Sequence, residues 1–400
     1  MCFQAMPDAW SPLIAGLLAL AGLGLCVSGV CHVIVWYVLR RRRTAAPSGD
    51  SVTILRPLCG VDTCLDENLE ACSLQSHRPL NMVLGVADLD DAAFPVASRF
   101  SRENGQLPTR VSVGEDESLE NPKVALLERM SWHGDGEWLV VSDSNVRVPP
   151  DYVRDALALA TPDVGLVTHL VAGCGGRSLG ALAENSQLNC FVAPALCGAR
   201  YLAGQVCVIG KSMFLRREAL QKIGGFQSAG HCLAEDYVIG QAVAKAGYRV
   251  VIAARPVPAW HEGWTLARFL SRHLRWAVMR RSVSRSAYVA ELLFNPAPLL
   301  ILLWVLSHYV RLPGVHSHWL LAALVFEQAL AAVTFTRMSG HWVSLPAVLG
   351  NPLRQWLTLG IWILGWFVDT VEWRGKTYRV GAGSQLRPAE GPVPARAVER

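Results

Sequence analysis

Glu235 and Asp236 stand side by side in the stretch LAEDYVIG, between Leu233-Ala234 and Tyr237-Val238-Ile239. A carboxylate among apolar neighbours is pushed towards its neutral form, which suits a general base working near neutral pH. The same pair would serve equally to start a helix running to Ala246, because acidic side chains are favoured in a first turn. Downstream, Arg268, Arg272, Arg275, Arg280, Arg281 and Arg285 crowd one segment, with RHLRW at 272–276. Guanidinium forks match the oxygens of a diphosphate. The competing use is a helix lying on anionic lipid, its arginines among the head groups.

Two further acidic groups follow apolar runs. Asp88, Asp90 and Asp91 come after residues 81–87, and Asp143-Ser144-Asn145 comes after residues 137–142. Carboxylate and amide oxygens are hard donors suited to Mg²⁺ or Mn²⁺, which keep positions open for diphosphate oxygens. The plainer alternatives are a loop capping the next helix for the first group and a turn for the second.

The elements that would position these residues are legible nearby. Residues 51–55, 81–87 and 137–142 are short apolar runs of strand type. Residues 65–75 and 94–103 have helical spacing, and Asp66 and Glu67 suit the first turn of the former. Alternating strands and helices predict an α/β domain with a mainly parallel sheet, whose ligands bind beyond the carboxyl ends of the strands. Residues 265–286 have helical pattern, with Leu266, Phe269, Leu270, Leu274 and Ala277 on one side and Arg268, Arg272 and Arg275 on the other.

The wider composition sets the surroundings. The chain is 52% hydrophobic, more than an ordinary soluble domain, and its net charge of +5 points to no nucleic-acid partner. Its 11 cysteines include no CxxC pair and no zinc spacing, so reduced thiols are expected. Residues 13–39 are apolar apart from His32 and end at Arg40-Arg41-Arg42-Arg43. At about 20 residues per span this reads as an uncleaved anchor, with the arginines and the following domain in the cytoplasm. Residues 292–310, 319–335 and 356–368 are further apolar stretches. Arg374, Lys376 and Arg379 favour a cytoplasmic tail, so one of these three stretches is expected to be re-entrant or interfacial.

In order and separation, several pieces resemble the ceramide glucosyltransferase family. They are VTILRPLCGVD at 52–62, the 88–91 acidic cluster, NPKV at 121–124, SDSNVRVPPD at 142–151 and VGLVTHL at 164–170. They continue with GKSMFLRREAL…IGGF at 210–226, LAEDY at 233–237, RHLRW at 272–276 and VEWRGKTYRV at 371–380. The resemblance implies a GT-A nucleotide-diphospho-sugar transferase domain with transmembrane and interfacial helices. The implied division is an anchor over 1–50, a catalytic domain over 51–264, an interfacial helix over 265–290, membrane segments over 291–372 and a largely disordered basic tail over 373–400. It implies an inverting transfer of a sugar, glucose first, from UDP-sugar to the primary hydroxyl of ceramide, with Mg²⁺ or Mn²⁺ as cofactor. Asp88 and Asp90 would help bind the nucleotide, Asp143 the metal, and Asp236 would be the base. Arg272, Arg275 and Trp276 would hold the diphosphate and shape the acceptor mouth, with Lys123 a further donor-binding group. Two departures stand out: Asn145 replaces a commonly acidic position, and residues 174–201, which would line the acceptor, match poorly.

Three rival readings remain. A bacterial hopanoid transferase using UDP-N-acetylglucosamine would share these residues, and the Ala- and Arg-rich composition suits a bacterial inner membrane. A processive polysaccharide synthase would need more spans. A non-catalytic nucleotide-sugar receptor would have no need of Asp236.

Overall fold

Residues 11–41, 49–309, 312 and 315–389 are described in this computed structural model. Helix α1 (Ser11–Arg40) leads into β1 (Val52–Pro57), α2 (Leu65–Ser73), β2 (Leu80–Val86), α3 (Ala93–Glu103), β3 (Thr109–Val113), α4 (Pro122–Ser131), β4 (Trp138–Ser142), α5 (Tyr152–Leu157) and β5 (Val164–Cys174). Helices α6 (Leu179–Gln187) and α7 (Ala193–Tyr201) flank a π turn and precede β6 (Ser212–Arg216), α8 (Arg217–Lys222), α9 (Glu235–Lys245) and β7 (Arg249–Trp260). The rest is α10 (Leu266–Val283), α11 (Arg285–Ala290), α12 (Ala297–Leu306), α13 (Ser317–Ser339), α14 (Leu345–Leu364) and the strands β8 (Thr370–Trp373), β9 (Lys376–Val380) and β10 (Leu386–Pro388).

The β1 and β4 runs are buried at every residue, as expected for strands covered on both faces. Successive side chains alternate between two cores: Ile54, Leu84 and Val140 on one side, Leu55, Val83 and Val141 on the other. The seven strands run β3-β2-β1-β4-β6-β5-β7. Only β6 is antiparallel to its neighbours, so the expected mainly parallel sheet is observed. The order reverses between β1 and β4, the point beyond whose carboxyl ends sheets of this type form their ligand crevice.

Among the described residues, two helices are long and apolar enough to cross a bilayer, α1 and α13. They run side by side in the same direction. Ile14 and Leu320 share one cluster, His32 Nδ1 lies 2.7 Å from Thr334 Oγ1, and Met338 packs with Val35 and Val38. A third crossing is available if residues 285–306 form one span bent by 56°. Helix α14 does not qualify as a span and packs on α6 and α10, with Arg354 buried against Gln187. Of the three C-terminal apolar stretches, the one at 319–335 lies in a helix long and apolar enough to cross by itself, among the described residues. Arg42 and Arg43 lie outside the described residues.

The expectation of a disordered tail from residue 373 is corrected up to residue 389. Strands β8, β9 and β10 form an antiparallel sheet whose Val371, Tyr378, Val380 and Leu386 pack with Leu233 and Val278. The polar composition concealed a hairpin whose inward positions are apolar. Residues 390–400 lie outside the described residues.

Candidate active site

The crevice is built around the loop after β4. Arg56, fully buried in β1, turns its guanidinium under that loop and donates to Asp143 O at 3.0 Å and to Val146 O. The loop carbonyls thus have a partner where no water reaches. Helix α4 begins beside it. Asn121 accepts from Lys123 N and Val124 N, and Pro122 occupies the first turn, a cap that aims Lys123 into the crevice.

Lys123 Nζ meets Asp143 Oδ1 at 3.0 Å, Glu235 Oε1 at 3.1 Å and Gly210 O at 3.0 Å. An ammonium has three donors, and all three are used. Lys123 organises the site, and the expected role as a donor-binding group would require it to release a partner. Lys211 Nζ lies 3.3 Å from Asp143 Oδ2 and 2.7 Å from Asn145 Oδ1. Burial pushes the Asp143 carboxyl up, but the two ammonium groups outweigh it and hold the acid well below the usual range. Burial pulls the Lys211 ammonium down to about 8, with Asp143 opposing.

Asp236 opens α9, in the first turn as the sequence indicated. Its Oδ2 accepts from Gly210 N at 2.7 Å and its Oδ1 from Tyr237 N at 2.8 Å. Gly210 is needed here: a Cβ would stand 3.1 Å from Asp236 Oδ2 and 3.2 Å from both Glu235 Oε1 and Lys123 Nζ. Burial, then the neighbouring Glu235 carboxylate, pushes the Asp236 acid up to about 7 against the pull of Lys123. The segment before it is pinned from the chain's far end: Leu233 N donates to Ser384 O at 2.8 Å and Ala234 N to Ser384 Oγ at 3.2 Å.

Helix α10 forms the opposite wall, capped by Thr265, whose hydroxyl accepts from Arg268 N. The two arginines of RHLRW have different surroundings. Arg272 is paired with the fully buried Glu184 at 3.1 Å and sits over the rings of Trp264 and Trp276 at 5.2 and 4.4 Å. Glu184 also meets His273 Nε2 at 2.7 Å. Burial would raise the Glu184 acid, but Arg272 and His273 hold it below the usual range. Arg275 has no carboxylate partner among the described residues. Burial, then Arg272, lowers it to about 10 against the pull of Glu235, and its guanidinium lies 5.9 Å from the centre of the Trp373 ring. A desolvated guanidinium with no carboxylate partner favours an anion.

Asp88 and Asp90 reach the same carboxyl edge from β2 but remain exposed, linked to each other by a bond from Asp90 N to Asp88 Oδ1 at 2.9 Å. No hydrogen bond or ion pair ties them to Asp143 among the described residues. Asp91 instead bonds Gly60 N and Ala93 N, the helix-start role. Sequence reasoning missed three participants. Asp62 accepts from Ser144 Oγ at 2.5 Å and faces Arg268 at 3.6 Å. Lys211 stood within a noted motif without a role. Glu184 lies in the stretch that matched poorly, and nothing local marked it.

The surroundings of Asp143 do not fit the expected divalent cation. Both of its oxygens and the Asn145 amide oxygen are engaged by lysines, and no cluster of three or more His, Cys, Asp or Glu suited to a metal occurs among the described residues.

Glu184→Leu is expected to lower stability by about 3–5 kcal/mol, because it strands Arg272 and His273 against a buried apolar surface. Thermal unfolding of the detergent-purified protein reads this directly. An unchanged midpoint would remove Glu184 from the account of how α10 is held.

The mannosyltransferase PcManGT of Pyrobaculum calidifontis, solved with GDP-Man and Mn²⁺, is similar in structure, with a TM-score of 0.50 at 19% identity over 88% of this chain and 97% of that one. It shows the GT-A fold. Among curated proteins, ceramide glucosyltransferase 3 of Caenorhabditis elegans is 25% identical over 362 residues, covering 88% of this chain and 77% of the relative. Ceramide glucosyltransferase 1 of the same organism is 21% identical over 390 residues, covering 94% and 82%. Residues 16–386 match glycosyl transferase family 21, a span that takes in α1, the Asp143–Asp236 crevice and the C-terminal sheet, and the chain belongs to that family.

Proposed function

We propose that this glycosyltransferase moves a sugar, glucose in the first instance, from UDP-sugar to the primary hydroxyl of ceramide with inversion. The observation that carries the reading is that burial and the neighbouring Glu235 carboxylate push the Asp236 acid up to about 7, on the side of the site where Arg275 has no carboxylate partner among the described residues. Asp236 takes the proton of the attacking hydroxyl as its oxygen bonds to the anomeric carbon. The bond from that carbon to the diphosphate breaks, and Arg275 meets the charge that develops on the leaving oxygen. One displacement turns an α-linked donor into a β-glycoside. Lys123 holds Asp143, Glu235 and the Gly210 carbonyl in register, and Trp276 borders the acceptor side. The curated relatives support a lipid acceptor, and α1, the bent span and α13 would place the crevice at a membrane surface, with the catalytic domain in the cytoplasm. The parallel course of α1 and α13, both ending at the catalytic domain, supports that arrangement.

The test is a product assay on detergent-purified protein offered UDP-glucose, UDP-galactose or UDP-N-acetylglucosamine, each with ceramide and with a hopanoid polyol. Mass spectrometry of hexosylceramide is the expected result. Transfer to the hopanoid alone would keep the mechanism and overturn the acceptor. Binding of UDP-sugar without any product would favour a receptor.

A further inference from the structure

Among enzymes of this fold, Asp143 is the position expected to hold a divalent cation, yet here a lysine fills it. We propose that the Lys211 ammonium takes the cation's place between Asp143 and Asn145, so that the donor diphosphate binds and departs without a divalent metal. The proposal rests on the nucleotide-sugar reading above.

Four observations carry it. Lys211 Nζ is bracketed by Asp143 Oδ2 at 3.3 Å and Asn145 Oδ1 at 2.7 Å, the two oxygens a cation would use. Its position is set by the backbone: β6 pairs antiparallel with β4, Ser212 faces Ser142, and Asp143 N approaches Lys211 O at 3.4 Å. Lys211 is nearly buried, which holds the ammonium against these oxygens rather than in bulk solvent. Two of its three N–H donors are spent on Asp143 and Asn145, and no hydrogen bond among the described residues takes the third, which leaves it for a phosphate oxygen, whereas Lys123 has none left. Asn145 adds a neutral oxygen where a second carboxylate would favour a divalent ion, and that suits a single positive charge better. A cation on Asp143 would also stand beside Lys123 and Lys211, at a separation where like charges repel strongly in a partly dry crevice.

The experiment uses the full-length protein in detergent. First, Mn²⁺ alone is titrated and its free-ion resonance followed by electron paramagnetic resonance; no stoichiometric uptake is expected. Second, UDP binding is measured by calorimetry in EDTA and in Mn²⁺. The native protein should bind UDP in EDTA with affinity within about threefold of that in Mn²⁺, and Lys211→Met should weaken binding in EDTA by about 10- to 100-fold. Uptake of one Mn²⁺ per native chain, loss of UDP binding in EDTA, or full affinity in the variant would each overturn the proposal. The native arm stands even if the variant fails to fold. UDP binding under neither condition would strike the nucleotide-sugar reading, and the Mn²⁺ titration would then decide the lysine claim by itself.

Discussion

Asp236→Asn is expected to lower kcat by about 10²- to 10⁴-fold while UDP affinity stays within about threefold. The amide keeps the shape of the carboxylate and its oxygen can still accept from Gly210 N, which preserves the Gly210 turn, while its NH2 gives up the bond from Tyr237 N. What disappears is a carboxylate whose proton affinity is raised and which makes no ion pair with either lysine among the described residues. Both lysines are bonded to Asp143, and Lys123 is also bonded to Glu235, but neither is within ion-pair distance of Asp236. The sign of the pH dependence follows. A base acts in its ionised form, and burial with Glu235 pushes this acid up to about 7. Transfer should therefore rise about tenfold per unit below neutrality and level off above it. A variant that still transfers, or a native profile flat from acid to neutral pH, would assign the proton to another group.

Arg275→Met is expected to reduce kcat/KM by about 10²- to 10³-fold, the range seen when one group opposing developing charge is removed. Arg272→Met should act differently. The Arg272 charge is already balanced by Glu184 at 3.1 Å, and its guanidinium lies between two indole rings. Its loss leaves the Glu184 carboxylate buried beside His273 alone, so the main effect should be on stability, with UDP affinity moving less than in the Arg275 variant. Calorimetry with UDP and unfolding midpoints on both variants separate the roles. Greater loss of UDP affinity at Arg272 than at Arg275 would reverse the assignment. The expected result would divide the work between two arginines of one motif, one supporting the wall and the other meeting the substrate.

Much of the framework was legible because it is local. The buried strands at 52–57, 80–86 and 138–142 are apolar runs short enough to read directly, and the Glu-Asp start of α9 follows from the dipole of a first turn. The long apolar helix at the N-terminus was equally plain. Roles set by distant partners were not. The pattern could not say what α14 packs against, because its contacts to α6 and α10 join residues far apart in the chain. Composition suggested disorder after residue 373, but Ser384 carries the two bonds that hold Leu233 and Ala234 in front of Asp236.

The sequence by itself determined the alternation of strands and helices, the acidic residues delivered to one sheet edge, the arginines of one helix and the apolar anchor. Each depends on residues within a turn or two of one another, where spacing fixes which side chains share a face. Only the tertiary structure decided which charges meet. A lysine after Gly210 and a glutamate in α6 look like any polar residues until antiparallel pairing of β4 with β6 puts Lys211 against Asp143, and packing of α6 on α10 puts Glu184 under Arg272. Ion pairs hold over only a few ångströms, and such contacts between distant parts of a chain exist only once the core has closed around them.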